Sequence, residues 1–513
     1  MLTYSHMDKI FTKLKSFTSQ HKIILIPIAC AIIYMLLCIT NIFGSVWFDE
    51  AYSGLIARFN FAKIWQLTSV DVHPPLYYFI LKIWSDIFGS TDYTMRFLSV
   101  FFGAISIIVA FFMLKKMFNN KVATIGAAFM ALNPFLIRYG QEMRMYTMVV
   151  FLVILATYIL QLALTSKKRS YWLAYGVVVS LGMWTQYYSV FAWLAHFTFL
   201  IFHFRAKIFQ KNVVYAYLLA ILVFLPWLPF AVKQIASVQK GFWIPPVSAV
   251  TFPDFISQSL IYHDFSSLPA FVILPFWLFL SVAICLIVKY FKSAKSEQKT
   301  SFTLLLFLST LPVILSFILS LPPMKPTFYN RYLIFSSVTL SLLLAVAIFY
   351  YYQKKSINFS QKLLVLPVFA ALIFGTISVL HRYPESHVKA SITSLQSQES
   401  SDVPILADNN LTFYQAVFYE NSKQRVNLIK DWPKINFPPE EPVQQLADHL
   451  YENYQDFSKK HDSFWLIIND SSFDNPDFNQ QLDSIKSSRY IVTDQIKTQN
   501  FTAQKYQKLS KST

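Results

Sequence analysis

Along its first 380 residues the chain alternates long apolar runs with short polar breaks, and this alternation predicts most of its structure. A helix needs about 20 apolar residues to cross the hydrocarbon of a bilayer. Runs of this kind lie at approximately 23 to 43, 94 to 114, 121 to 138, 146 to 165, 171 to 184, 187 to 204, 213 to 232, 269 to 290, 302 to 321, 331 to 351 and 362 to 380, which predicts eleven spans. One more apolar segment, Pro75 to Gly89, is only 15 residues long and contains Lys82 and Asp86. It is too short to cross and is predicted to be a helix lying in the membrane interface.

The basic breaks fix the orientation. With Pro75 to Gly89 left out of the count, Lys115-Lys116 with Lys121, Lys167-Lys168-Arg169, Arg205 with Lys207 and Lys211, Lys289 to Lys299, and Lys354-Lys355 all fall inside, as the positive-inside bias requires. Counting that segment as a span would put all five groups outside. Residues 1 to 22 carry Lys9, Lys13, Lys15 and Lys22 ahead of the first run and no small-residue cleavage signal, so they read as a cytoplasmic N-terminus before an uncleaved anchor.

After His381 the pattern changes. The segment is polar and rich in Asn, Asp, Ser and Gln, yet VPILAD and SFWLIIND read as strands and Pro442 to Tyr454 as a helix. An odd number of spans sends it outside. The predicted architecture is a polytopic α-helical membrane protein of a plasma or inner membrane. It has a cytoplasmic N-terminus (1–22), a transmembrane domain (23–380) with its first outer loop at 44–93, and a small extracytoplasmic α/β domain (381–513). No internal repeat or low-complexity linker is evident.

Composition agrees: of 513 residues 55% are hydrophobic and 18% aromatic, with mean hydropathy +0.42, beyond the range of soluble proteins. The formal charge of +17 raises nucleic acid as a partner. Its distribution argues against this, because residues 1–380 hold 30 Lys+Arg against 10 Asp+Glu and residues 381–513 hold 14 against 17. The positive excess belongs to the membrane part, where loop orientation accounts for it. Cys30, Cys38 and Cys285 all lie in predicted spans and predict no disulfide framework.

The charges that do not orient the chain point to chemistry. Of the ten carboxylates before residue 381, Asp49, Glu50, Asp71, Asp86, Asp92, Glu142, Asp254 and Asp264 fall on or near the predicted outer face, and only Asp8 and Glu297 fall inside. Arg58, Arg96, Arg138, Arg144 and Arg331 also lie at outer ends, against the positive-inside tendency. Ionisable groups at membrane depth mark function, and guanidinium forks suit a phosphate-bearing ligand. Each group also has a plainer reading. Asp49 and Glu50, just after Trp47-Phe48, are placed to cap the helix AYSGLIARF. Asp71-Val72-His73-Pro74-Pro75 has the form of a turn that starts the interfacial helix. Asp71 and His73 are the one pairing that suggests a metal, but two ligands do not make a site. Arg138-Tyr139 and Glu142-Met143-Arg144-Met145-Tyr146 read either as contacts to phosphate or sugar or as a snorkelling outer turn. Gly241-Phe242-Trp243-Ile244-Pro245-Pro246 reads as a lid or as an interfacial anchor. Arg331-Tyr332 opens the tenth span as the foremost phosphate ligand, with anchoring as its rival.

The order Asp49-Glu50-Ala51-Tyr52, Asp71-Val72-His73-Pro74-Pro75-Leu76-Tyr77-Tyr78, Arg96-Phe97, Asn133-Pro134-Phe135, Arg138-Tyr139 through Tyr146, and Arg331-Tyr332 resembles bacterial members of glycosyltransferase family 39. These are multi-span GT-C enzymes akin to the protein O-mannosyltransferases and the aminoarabinose transferases of lipid A. The likeness is dense from about 44 to 150 and thin afterwards. No MIR domain follows, which weighs against a eukaryotic-type mannosyltransferase, and the later motifs of the lipid A transferases are not evident.

The resemblance implies a GT-C-like fold, a sugar donor on a polyprenyl phosphate, and Asp49 as catalytic base. A sugar on a lipid phosphate is already activated. The enzyme must hold the phosphate as leaving group and deprotonate an acceptor hydroxyl behind the anomeric carbon. One direct displacement inverts that carbon. Glu50 or Asp71 would then orient Asp49 or the acceptor, and Arg331 with Arg138 or Arg144 would stabilise the departing phosphate. Arginine supplies the charge, so the scheme requires no metal or other cofactor. The acceptor is a protein, a glycan or a lipid. The competing expectations are a transporter or flippase for a lipid-linked saccharide, which should show charges midway along several spans and internal symmetry, and a noncatalytic envelope scaffold.

Overall fold

A computed structural model describes residues 23–166, 168–205, 209–241, 243–353, 359–382, 387–398, 403–421, 424–430 and 449–509. The expected cytoplasmic N-terminus therefore lies outside the described residues. Helices stand at all eleven positions where the apolar runs predict them. Six are long and apolar enough to cross a membrane: Asp92–Met117 (α5), Tyr146–Thr165 (α8), Lys211–Lys240, Val272–Ser293, Ser296–Ile318 (α15) and Asn330–Tyr352. A seventh is a bent pair, Asn120–Ala131 (α6) with Pro134–Gly140 (α7), and Ile23–Ile39 (α1), Arg169–Thr185 (α9), Ser189–Phe204 (α10) and Leu366–Leu380 are shorter. Between α1 and α5 lie three short helices, Phe48–Ile56 (α2), Phe61–Val70 (α3) and Leu76–Phe88 (α4). At 13 residues α4 is too short to span a bilayer.

The chain folds as two compact units. One consists of residues 1–40, 72–77 and 96–382, the other of 41–71, 78–95 and 383–513. The sequence boundaries group loop 44–93 with the transmembrane helices, whereas most of that loop shares a unit with the C-terminal segment.

In the first unit the window of Asn330–Tyr352 is 94% buried, against 28% for Lys211–Lys240 and 18% for Val272–Ser293, so the first is the central helix and the other two leave faces open to lipid. Ser336, Ser337, Thr339 and Ser341 on the central helix are buried. Small and hydroxylated residues let helices approach closely where lipid supplies no hydrophobic drive. Ser336 Oγ donates to the Leu308 carbonyl of α15 at 2.9 Å.

The break between α6 and α7, a bend of 54°, has a local cause. Asn133 caps α7 by accepting from Leu136 N–H at 2.8 Å, and Pro134 occupies the first helical position. Backbone groups freed inside a membrane protein need internal partners. The Leu132 carbonyl accepts from Thr376 Oγ1 at 2.9 Å, and Asn133 Nδ2 donates to Ser341 Oγ at 2.8 Å.

The second unit contains a six-stranded sheet in the order β3-β2-β1-β4-β6-β5. Its strands are Ile405–Ala407 (β1), Val426–Ile429 (β2), Leu450–Tyr451 (β3), Ser463–Asn469 (β4), Tyr490–Lys497 (β5) and Phe501–Lys508 (β6). The β1–β4 group is parallel, and β6 and β5 add antiparallel strands at one edge. The runs read from sequence as VPILAD and SFWLIIND supply β1 and β4. The expected helix from Pro442 to Tyr454 is corrected at its end and otherwise lies outside the described residues. Leu450–Tyr451 pairs with β2 as a strand, because the open edge of β2 offers backbone partners there. The next helix starts only at Tyr454, capped by Asn453 accepting from Asp456 N–H at 2.9 Å. Leu406, Ile429, Phe464, Leu466, Ile468, Leu482 and Tyr506 form the core of this sheet. A helix after β1, Asn410–Phe418, packs on α2.

Candidate active site

The acids belong to the second unit. Asp49 and Glu50 fall in the first turn of α2, where the helix dipole favours negative charge. Their environments differ. Glu50 is 1% exposed and its Oε2 accepts from the Trp47 N–H at 3.4 Å, capping the start of α2. Asp49 is half-buried, and its backbone carbonyl accepts from Ser53 Oγ at 2.8 Å. The structure thus gives the capping role to Glu50 and leaves Asp49 the more accessible carboxylate. Asp71 is the C-cap of α3 and is 5% exposed. Its charge bears on the phenol of Tyr414, which burial first and Asp71 second hold above its ordinary range.

The guanidinium groups belong to the first unit. The α6–α7 break turns the chain so that α7 ends at Gly140 and α8 begins at Tyr146, with Glu142 and Arg144 in the turn between. Arg138 Nη2 pairs with Glu142 Oε1 at 2.6 Å, and the two side chains are 4% and 2% exposed. Arg138 Nε also donates to the Tyr262 hydroxyl at 2.8 Å. Tyr262 ends the helix Thr251–Ile261 with φ 57°, a left-handed conformation that costs a non-glycine residue roughly 1–3 kcal/mol. Arg144 Nη2 lies 3.4 Å from His73 Nε2. A guanidinium only donates, so His73 Nε2 is the accepting atom of this contact.

Arg331 lies at the start of the central helix. Its guanidinium carbon stands 4.9 Å from the ring centroid of Tyr329, 5.7 Å from those of Tyr332 and Trp243, and 5.8 Å from that of Tyr146. Rings at these distances attract the cation through their quadrupoles and hold its plane. Tyr332 is itself packed by Tyr188 at 5.0 Å and Tyr146 at 6.5 Å. Beside this box the same unit holds a cavity of about 260 Å³. His73, Tyr188 and Tyr332 line it together with Phe191, Ile235 and Met324, so its wall is mainly apolar, with Gln186, Gln234, Gln239 and Thr327 as further polar points. An elongated apolar ligand with an anionic head matches that lining.

The structure thus brings together His73, Arg138, Glu142, Arg144, Tyr146, Arg331 and Tyr332 in one unit, and Asp49, Glu50 and Asp71 in the other. The segment DVHPPL joins them covalently, with Asp71 ending one stretch and Val72 beginning the next. Among the described residues no group of three or more His, Cys, Asp or Glu side chains could hold a metal ion. Sequence reasoning missed Tyr262, Tyr329 and Tyr414. Trp243 it placed in an aromatic loop, read as a lid or an anchor, and that residue packs on Arg331. Tyr329, two residues before Arg331 in PTFYNRY, carried a signal; Tyr262 and Tyr414 carried none.

Comparison with known proteins bears on the fold. The family model described as dolichyl-phosphate-mannose-protein mannosyltransferase matches residues 72–230. The apo crystal structure of ArnT from Cupriavidus metallidurans superposes with a TM-score of 0.63 at 9% identity, covering 95% of this chain and 98% of that one. The chain thus has the ArnT-like fold of the GT-C glycosyltransferases. The same ArnT bound to undecaprenyl phosphate gives a TM-score of 0.62 at 9% identity, over 94% of this chain and 98% of that one. A second GT-C structure, the Archaeoglobus fulgidus oligosaccharyltransferase tethered to an acceptor peptide with the NVT sequon, gives 0.54 at 12% identity, over 89% and 70%. No curated protein matches by sequence. The chain is a multi-pass membrane protein, and its α/β segment lies within the span of the ArnT likeness.

Proposed function

We propose that the chain is a glycosyltransferase that moves a sugar from a polyprenyl-phosphate donor to an acceptor hydroxyl, at the outer membrane face and with inversion of the anomeric carbon. The observation that carries this reading is the aromatic box around Arg331 beside a mainly apolar cavity, which together match a phosphate head and an isoprenoid tail. The fold supports it, since ArnT from Cupriavidus metallidurans, of the same fold, binds undecaprenyl phosphate.

In this scheme Arg331 and Arg144 take the phosphate oxygens. Charge builds on those oxygens as the glycosidic bond breaks, and fixed cations aimed there stabilise the transition state more than the ground state. His73 orients Arg144 by accepting its hydrogen bond. Glu142, paired to Arg138, fixes the turn that carries Arg144. Tyr146 and Tyr332 are walls of the Arg331 box. Asp49 removes the acceptor proton as general base. Glu50 keeps α2 capped and Asp71 orients the acceptor. Hexose or pentose, and protein, glycan or lipid acceptor, follow from groups outside these side chains.

The test is binding of undecaprenyl phosphate alone to the purified protein in nanodiscs. The expected result is saturable binding that falls about tenfold or more in Arg331→Ala, the equivalent of at least about 1.4 kcal/mol. Equal binding by wild type and Arg331→Ala refutes the phosphate assignment.

A further inference from the structure

The motifs of this chain leave its C-terminal segment without work, yet one residue of that segment lies under the acid-bearing helix. Tyr414, on Asn410–Phe418, is 2% exposed. Its ring meets Phe48 edge-on at 5.5 Å and Tyr52 at 5.9 Å. These two residues are i and i+4 on α2 and share one face of it, and Asp49 follows Phe48 directly. The grip extends along the helix. Before α2, the Val46 N–H donates to the Tyr419 hydroxyl at 2.8 Å. After it, Arg58 Nη2 donates to the Phe418 carbonyl at 2.9 Å and its guanidinium stacks on the Phe418 ring at 5.0 Å. Further along, Lys389 pairs with Asp92 at 2.7 Å and donates its N–H to Ser45 Oγ at 3.0 Å.

A nine-residue helix is marginal by itself, so the direction of Asp49 depends on what packs against α2. Aromatic pairs of this geometry add roughly 0.5–1.5 kcal/mol each beyond the area they bury. Among the described residues the Tyr414 hydroxyl is buried without a hydrogen-bond partner, so the ring is the part of Tyr414 that holds α2.

We propose that Tyr414 is a positioning residue of the acid site: its ring clamps the Phe48–Tyr52 face of α2 and so aims Asp49. The C-terminal domain is then a working part of the catalytic machinery. The turnover half of this inference rests on the glycosyl-transfer reading; the clamp half does not.

The experiment uses the full chain in nanodiscs, with Tyr414→Leu and Tyr414→Phe. Amide exchange across residues 45–57 is measured first, without substrate. Leu should speed exchange in α2 about tenfold, and Phe, which keeps the ring, should leave it unchanged. Turnover of undecaprenyl-phosphate sugars is measured next. Leu should lower kcat at least tenfold with donor KM unchanged, and Phe should recover kcat to within about threefold. Unchanged α2 exchange in Tyr414→Leu overturns the clamp. Loss of kcat and donor affinity together, or failure of Phe to rescue, overturns positioning in favour of general packing. If wild type releases no sugar while the exchange pattern holds, the glycosyl-transfer reading fails and the clamp stands.

Discussion

The ion pair between Arg138 and Glu142 gives the sharpest energetic test of the turn that carries Arg144. The pair is 2.6 Å long and both side chains are almost wholly buried. At an effective dielectric of ~20 the attraction across that distance is ~6 kcal/mol. Several kcal/mol of desolvation per ion offset most of it, so the pair as a whole is near break-even. Removing one partner is different, because it strands a buried charge at a cost of about 3–5 kcal/mol. Glu142→Gln removes the carboxylate paired with Arg138 while the contacts of Arg138 to the Tyr262 hydroxyl and the Tyr139 ring stay, and Arg138→Met removes the cation paired with buried Glu142. Each single variant should therefore lower the apparent melting temperature of the detergent-solubilised protein clearly, and the double variant should recover more than half of the loss. A double-mutant cycle reads the coupling directly. A double variant as damaged as the two single variants added together would show that the residues act separately and would refute this account of the turn.

Three further outcomes follow from the geometry. Burial pushes the Asp408 carboxyl up to about 6, against hydrogen bonds from Ser472, Thr412 and the backbone N–H groups of Asn469 and Asn409. A folded value above the unfolded one of about 3.9 means stability that is full below pH ~4 and lost as pH rises through ~6, at most ~3 kcal/mol. Amide exchange in residues 403–418, corrected for intrinsic pH dependence, should quicken from pH 5 to pH 7, and Asp408→Asn should remove the trend. Gly176 on α9 faces the backbone carbonyl of Ala216 on Lys211–Phe224, where a Cβ has no room. Gly176→Ala should cost about 1–3 kcal/mol by prising these helices apart, seen as a lower apparent melting temperature. Arg331→Lys keeps the charge but loses the planar fork, so undecaprenyl phosphate binding should weaken about tenfold; unaltered binding would show that charge alone suffices there.

Much of the fold is legible in the sequence because lipid imposes a simple rule. Every crossing needs a long apolar run, and all eleven runs are helices. The break at Asn133-Pro134 was not read, because 121 to 138 runs apolar as one span, yet Asn caps and Pro starts a helix there and that break positions Arg138, Glu142 and Arg144. The charged residues of the candidate site were visible as acids and arginines where hydrocarbon should have none. What could not be read was pairing over distance. Tyr414 against Phe48 and Tyr52, or Tyr419 against Val46, joins residues more than 350 apart with no local pattern to mark them. In the α/β segment β1 and β4 were readable because their residues are almost all buried, whereas β5 is mostly exposed and shows no apolar alternation. Glu50 looked like a partner of Asp49 until its carboxylate was seen to close the cap of α2.

The measurement closest to the central claim is transfer by purified protein supplied with undecaprenyl-phosphate sugars, followed by the anomeric configuration of the product, in wild type and Asp49→Asn. The account predicts release of undecaprenyl phosphate, a product of inverted configuration, and a rate at least about a hundredfold lower in Asp49→Asn, the scale of a lost general base. Full turnover in Asp49→Asn, a retained configuration, or movement of intact lipid-linked sugar across the membrane would contradict it.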